Sequence, residues 1–188
     1  MAANLGSDVP ENIPDRAMLQ PVDLTGGAAA TVEDDSWARL RPPQPGAEEA
    51  YPSSFLCLRE RAVSAVVGWN GTTTVVVQYV AIYESNGAHR YLRDLRRAIE
   101  ASRGVDGRGV RWNILATRVA GPDSVLLLLR EDVERSGETS TRETYVVAAR
   151  VGRVLVVVAD TGGETAAGHR GLVEELITPA LRRVSVLL

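Results

Sequence analysis

At 188 residues, with 45% of them hydrophobic, the chain is long enough for one ordinary domain with a real core and leaves no room for a second full one. A net charge of −3 gives no sign of the basic stripe that neutralises nucleic-acid phosphates, so no nucleic-acid partner is expected, and no segment approaches the ~18 apolar residues of a membrane span. The single cysteine, Cys57, rules out an internal disulfide and a zinc site built on several cysteines. All 21 basic residues are arginine, a bias that fits GC-rich coding better than selection for guanidinium chemistry.

Residues 1–50 read as an irregular arm. Pro10, Pro14, Pro21, Pro42, Pro43 and Pro45, the Gly26-Gly27 pair and the acidic Glu33-Asp34-Asp35 forbid long regular elements, while Leu19, Leu24 and Trp37 can lay the arm over a core. Met1 to Pro10 has neither the basic start nor the apolar stretch of a signal peptide, so a cytoplasmic chain is expected, or an extracellular one if a leader precedes it. The remaining residues, 51–188, read as one α+β domain.

Phe55, Leu58 and Ala62 recur at helical spacing and predict a short helix over 53–61. Residues 62–69 and 72–84 are rich in Val, Thr and Tyr and flank Asn70-Gly71, so they predict an antiparallel hairpin with a type I′ turn. From Gly87 to Arg103 the period becomes helical, with Ala88, Tyr91, Leu92, Leu95, Ala98 and Ile99 on one face and Arg90, Arg93, Asp94, Arg96 and Arg97 on the other. Strands follow over 111–120 and 124–131 around Gly121-Pro122-Asp123, then a polar loop over 132–141. Two more strands, 142–151 and 153–159, flank Gly152, and a last helix covers 165–184 with a kink or break at Pro179.

The fold class this predicts is α+β: a six-stranded, mainly antiparallel twisted sheet in the order ββαββββα, packed by two main helices. Turns this short join antiparallel neighbours. Both helices are expected on one face, with the arm or a partner over the other.

Several stretches also look familiar together: Met18-Leu19-Gln20-Pro21-Val22-Asp23-Leu24, Arg41-Pro42-Pro43 leading to Tyr51-Pro52-Ser53, Tyr91 to Ala98, Ala120 to Ser124, and Val147 to Val158 around Gly152. On these, residues 17–188 resemble the extracellular sensor domain of PknH-type serine/threonine kinases and the related actinobacterial sensor-domain proteins. The resemblance implies a sheet and helices framing a cleft for a small ligand. Members outside the cell usually carry paired cysteines, whereas here the regions near Gly46 and Gly104 hold none. That difference favours an intracellular relative that has kept the fold and changed its use.

No hydrolase elbow, phosphate loop or dinucleotide fingerprint is present, and no catalytic residue is identified. His89 and His169 lack a second ligand at metal spacing and are expected on the surface, so no metal and no cofactor are predicted. Asp160 to Glu164, between a buried strand and a helix, reads as a strand-to-helix turn with Asp160 or Thr161 as a cap, in preference to an anion site. Cys57 reads as packing.

The candidate ligand-binding set is Trp69, Tyr79, Tyr83 and Trp112 with Glu84 and Arg118: aromatic walls and a few polar groups in a chain that is only 5% aromatic. Tyr79 and Tyr83, four apart on a strand, share a face. Three functions compete: a domain binding a small, largely apolar molecule, a cofactor-independent cyclase or isomerase acting on a biosynthetic intermediate in the same pocket, and a protein-interaction module. A homo-oligomer is compatible with all three.

Overall fold

The structure, a computed structural model, describes residues 9–24, 29–31, 40–41, 51–105, 109–135, 137–163 and 167–188. Its first long strands, β2 (Cys57–Trp69) and β3 (Thr72–Tyr83), meet at Asn70 and Gly71, both with positive φ as the type I′ turn requires. A three-residue strand of the arm, β1 (Ala29–Thr31), pairs with the outer edge of β2. Helix α1 (Gly87–Ala101) follows, then β4 (Arg111–Thr117), β5 (Ser124–Arg135), β6 (Glu138–Val151), β7 (Val154–Asp160) and α2 (Arg170–Arg183).

The sheet has six long strands plus β1, in the order β1-β2-β3-β7-β6-β5-β4, and every pairing is antiparallel. β7 closes the sheet: it forms a hairpin with β6 and joins β3, uniting the first hairpin with the later meander. All seven of its residues are buried, as expected of a strand covered on both faces.

The two helices lie on opposite faces, which corrects the expectation of one helical face. Alternation assigns each side chain to a layer. Val76, Val80 and Ile82 of β3 pack with Val156 and Val158 of β7 against Leu172, Val173, Leu176 and Ile177 of α2. Tyr79, Ala81 and Tyr83 pack with Leu155 and Val157 against Tyr91, Leu92 and Leu95 of α1. Each fully buried Leu or Ile in these layers contributes about 1.5–3 kcal/mol.

The arm serves both layers. Ile13, Ala17, Met18, Leu19 and Leu24 are buried on the α2 face, where Leu19 N donates to the buried Gln78 Oε1 at 2.6 Å, whereas Leu40 and Tyr51 join the α1 face. Trp37 lies outside the described residues.

Three element boundaries differ from expectation. The apolar residues at 55–62 form a 3-10 turn, Pro52–Leu56, and β2 begins at Cys57, because hydrogen bonding to β3 outweighs the weak helical spacing. The polar 132–141 segment is no loop. β5 and β6 stay paired to Arg135↔Glu138, held by cross-strand contacts such as Arg130–Glu143 at 2.7 Å and Thr141–Asp132 at 2.9 Å. Helix α2 runs through Pro179 without ending there, so the proline costs one amide donor and no break.

Asp94, expected on the polar side of α1, is 4% exposed and accepts the Ser53 amide at 3.2 Å, pinning the 3-10 turn to the helix.

Candidate functional site

On the α1 side, β3 presents Tyr79 and Tyr83 with β2 beside it, in a register that pairs Glu60 with Ala81 between the two tyrosines. A bulge between Cys57 and Arg59 then sets Cys57 opposite Tyr83. These side chains, with Ser54, Leu58, Arg59 and Arg41 of the arm, line a cleft of about 480 Å³, inside the range typical of ligand sites.

Its polar chemistry centres on Glu60. Tyr79 Oη donates to Glu60 Oε2 at 2.5 Å, and Cys57 Sγ lies 3.9 Å from the same oxygen. Burial, reinforced by the Glu60 charge, pushes the Cys57 thiol up to about 11, so it is a neutral donor at physiological pH. Burial likewise holds the Tyr79 and Tyr83 phenols well above their ordinary range, with neighbouring tyrosines adding to the effect. Each keeps its proton. The Tyr83 hydroxyl makes no hydrogen bond among the described residues.

An aromatic cluster backs the cleft. The Tyr91 ring sits 6.1 Å from Tyr83 and 5.2 Å from Tyr51, both tilted, and Arg41 Cζ lies 5.8 Å from the Tyr51 centroid in cation–π range. Tyr91 Oη is buried without a partner among the described residues.

The sequence-predicted set therefore divides. Tyr79, Tyr83 and Trp112 share the α1 layer, and the first two line the cleft. Trp112 does not: it is 1% exposed and packed in the core beneath α1. Trp69 falls on the opposite face, because the two-residue turn pairs Tyr79 with Ala62, and Trp69 stands seven residues beyond Ala62 on β2. Glu84 is exposed just past β3, where its backbone bonds Leu56 and Gly87. Arg118 is exposed in a left-handed turn, φ 63°, after β4. Glu60 and Cys57 were missed because their stretch carries a helical spacing that hides their place beside Tyr79 and Tyr83.

A second polar cluster lies on the other face. Asp160, fully buried, accepts from Thr74 Oγ1, from the Gly162 amide at 2.9 Å, from the His169 amide at 2.7 Å and from His169 Nδ1 at 3.1 Å. The carboxylate acceptor places a proton on Nδ1, while Nε2 stands 3.5 Å from Thr72 Oγ1, whose own proton goes to the Trp69 carbonyl at 2.8 Å. His169 is thus half-buried and paired, where the sequence predicted a surface residue. Gly168 passes so close to the Asp160 carbonyl that a Cβ would stand 2.2 Å from its oxygen. Asp160 forms a turn by accepting the Gly162 amide, but neither it nor Thr161 caps α2 as expected: the helix begins at Arg170, with His169 at its N-cap and no side-chain cap hydrogen bond.

Among the described residues no group of His, Cys, Asp and Glu is arranged to hold a metal ion, and no helix is long and apolar enough to cross a membrane. No protein-family model matches the chain, and no curated protein is significantly similar to it.

Proposed function

We propose that this protein binds a small molecule with an apolar body and a polar head in the cleft between β2, β3 and the arm. The observation that carries this reading is the convergence of Tyr79, Tyr83, Cys57, Glu60 and Arg41 on one cleft of about 480 Å³ in which the Tyr83 hydroxyl has no partner among the described residues. That hydroxyl opens to the cleft and is not sealed in the core, so its proton is available to a ligand acceptor. The tyrosine rings wall the apolar part, while Glu60 and Arg41 fix the head by opposite charge. The resemblance to the PknH-type sensor domain supports the same reading, since there too a sheet and helices are thought to frame a ligand cleft.

The Tyr79–Glu60 pair supports a second reading, a cofactor-independent cyclase or isomerase. A carboxylate bonded to a phenol at 2.5 Å is a ready proton acceptor and donor for a substrate held in place. Both readings predict the same first result. In a fragment screen read by protein NMR, amphipathic hits should shift resonances of Tyr79, Tyr83 and Cys57. Tyr83→Phe should fold normally and bind those hits about tenfold more weakly, the cost of one hydrogen bond. Hits that bind elsewhere, or are indifferent to Tyr83→Phe, would overturn the assignment.

A further inference from the structure

Helix α1 turns a second chemistry toward solvent, away from the tyrosine cleft. Arg93, Arg96 and Arg97 follow the three-and-four spacing that stacks them on one side of the helix, with His89 one turn earlier. They line a groove of about 300 Å³ closed on its other side by Asp123, in the turn before β5.

The charges there do not cancel. Asp123 is taken by Arg150, whose Nη2 donates to Oδ2, and His89 Nδ1 stands 3.9 Å from its other oxygen. Glu100 alone remains among the groove's lining carboxylates to face three guanidinium groups. Among the described residues Arg93, Arg96 and Arg97 make no ion pair, and Arg96 Nε is enclosed with no acceptor. Like charges one turn apart on a helix repel mildly, and an anion held among them would remove that repulsion and give Arg96 Nε an acceptor. It stands out in a chain whose net charge is −3.

We propose that this groove binds a small dianionic oxyanion, a phosphate monoester or a dicarboxylate, through paired guanidinium hydrogen bonds from Arg93, Arg96 and Arg97. Guanidinium groups match the planar two-oxygen edge of such anions better than any other side chain. The groove is a single pocket on one helix, too short to track a nucleic-acid backbone.

The test is an NMR titration of the labelled full chain, following backbone amides and arginine Nε–H signals. The probes are O-phosphoserine, glutarate and, as control, sodium chloride at matched ionic strength. Saturable shifts confined to residues 89–100 and Asp123 are expected, with the Arg96 Nε–H signal among them, and the tighter probe names phosphate or carboxylate as the source. The exposed double variant Arg93→Gln/Arg97→Gln should melt at or slightly above the wild-type temperature and bind about tenfold more weakly, whereas Arg182→Gln on α2 should bind normally. Shifts that chloride reproduces, that fail to saturate or that survive in the double variant would overturn the proposal. So would saturation by a polyglutamate peptide alone, which would identify a protein partner instead.

Discussion

Asp160 and Glu60 are acids of one sheet treated in opposite ways by its two faces. Asp160 is sealed, and its oxygens accept four hydrogen bonds, from Thr74 of β3, from Gly162 and twice from His169 just before α2. Glu60 is exposed at the rim of a cleft with one phenol bonded to it and a thiol nearby. The contrast belongs to these two acids and not to whole faces, since a buried polar atom without a partner among the described residues occurs on each side, the Tyr91 hydroxyl toward α1 and Gln78 Nε2 toward α2. Carboxylates whose lone pairs are spent on the chain hold elements together. Polar groups left with spare capacity at a cleft are available to something else.

The sharpest way to break this comparison is Asp160→Ala. Removing the acceptor strands the Thr74 hydroxyl, two amides and an imidazole, and should lower stability in urea unfolding by about 3–5 kcal/mol, the usual cost of opening a buried charged network. Glu60→Gln should change it by no more than about 0.5 kcal/mol, as for other surface positions. Equal losses in the two variants would erase the distinction between them.

A smaller effect of opposite sign is expected from Tyr91→Phe. Deleting a buried hydroxyl with no acceptor should raise stability by about 1 kcal/mol in the same assay. A loss of that size would mean that the hydroxyl is satisfied.

The smallest effect is a rate. The Cys57 thiol is pushed up to about 11 by burial first and by Glu60 second, so its thiolate fraction is minute at neutral pH and grows as pH rises toward that value. Iodoacetamide labelling should therefore be slow at about pH 7 and still accelerating at about pH 10. Glu60→Gln removes the negative neighbour, lowers the thiol pKa and should speed labelling at a fixed pH. Unchanged kinetics would separate Cys57 from Glu60 and weaken the cleft's electrostatic account.

Much of the framework was legible from local chemistry. Asn70-Gly71 dictated its hairpin, the apolar positions of α1 were each found buried, and the strand expected over 153–159 is present as β7. The side of the sheet each helix takes was not legible, because it depends on long-range pairing of β3 with β7, which leaves no periodic trace in either strand. Tyr79 and Tyr83 were candidates by their aromatic character, and parity put them on one face, as the layer they share shows. The same parity, carried through the two-residue turn, separates Trp69 from them, so that error was avoidable. His169 was not predictable in the same way. Its partner Asp160 lies nine residues away across a glycine-rich segment whose path no propensity specifies.

The bulge in β4 bears on how the molecule meets its own copies. β4 is the far edge strand, and between Ile114 and Ala116 its register slips, after which Arg118 turns left-handed. A kinked edge offers an incoming strand no straight row of amides and carbonyls to zip onto, and the opposite edge ends in the three-residue β1. For a sheet with a core this rich in valine and leucine, such backbone geometry at β4 disfavours edge-to-edge pairing between copies.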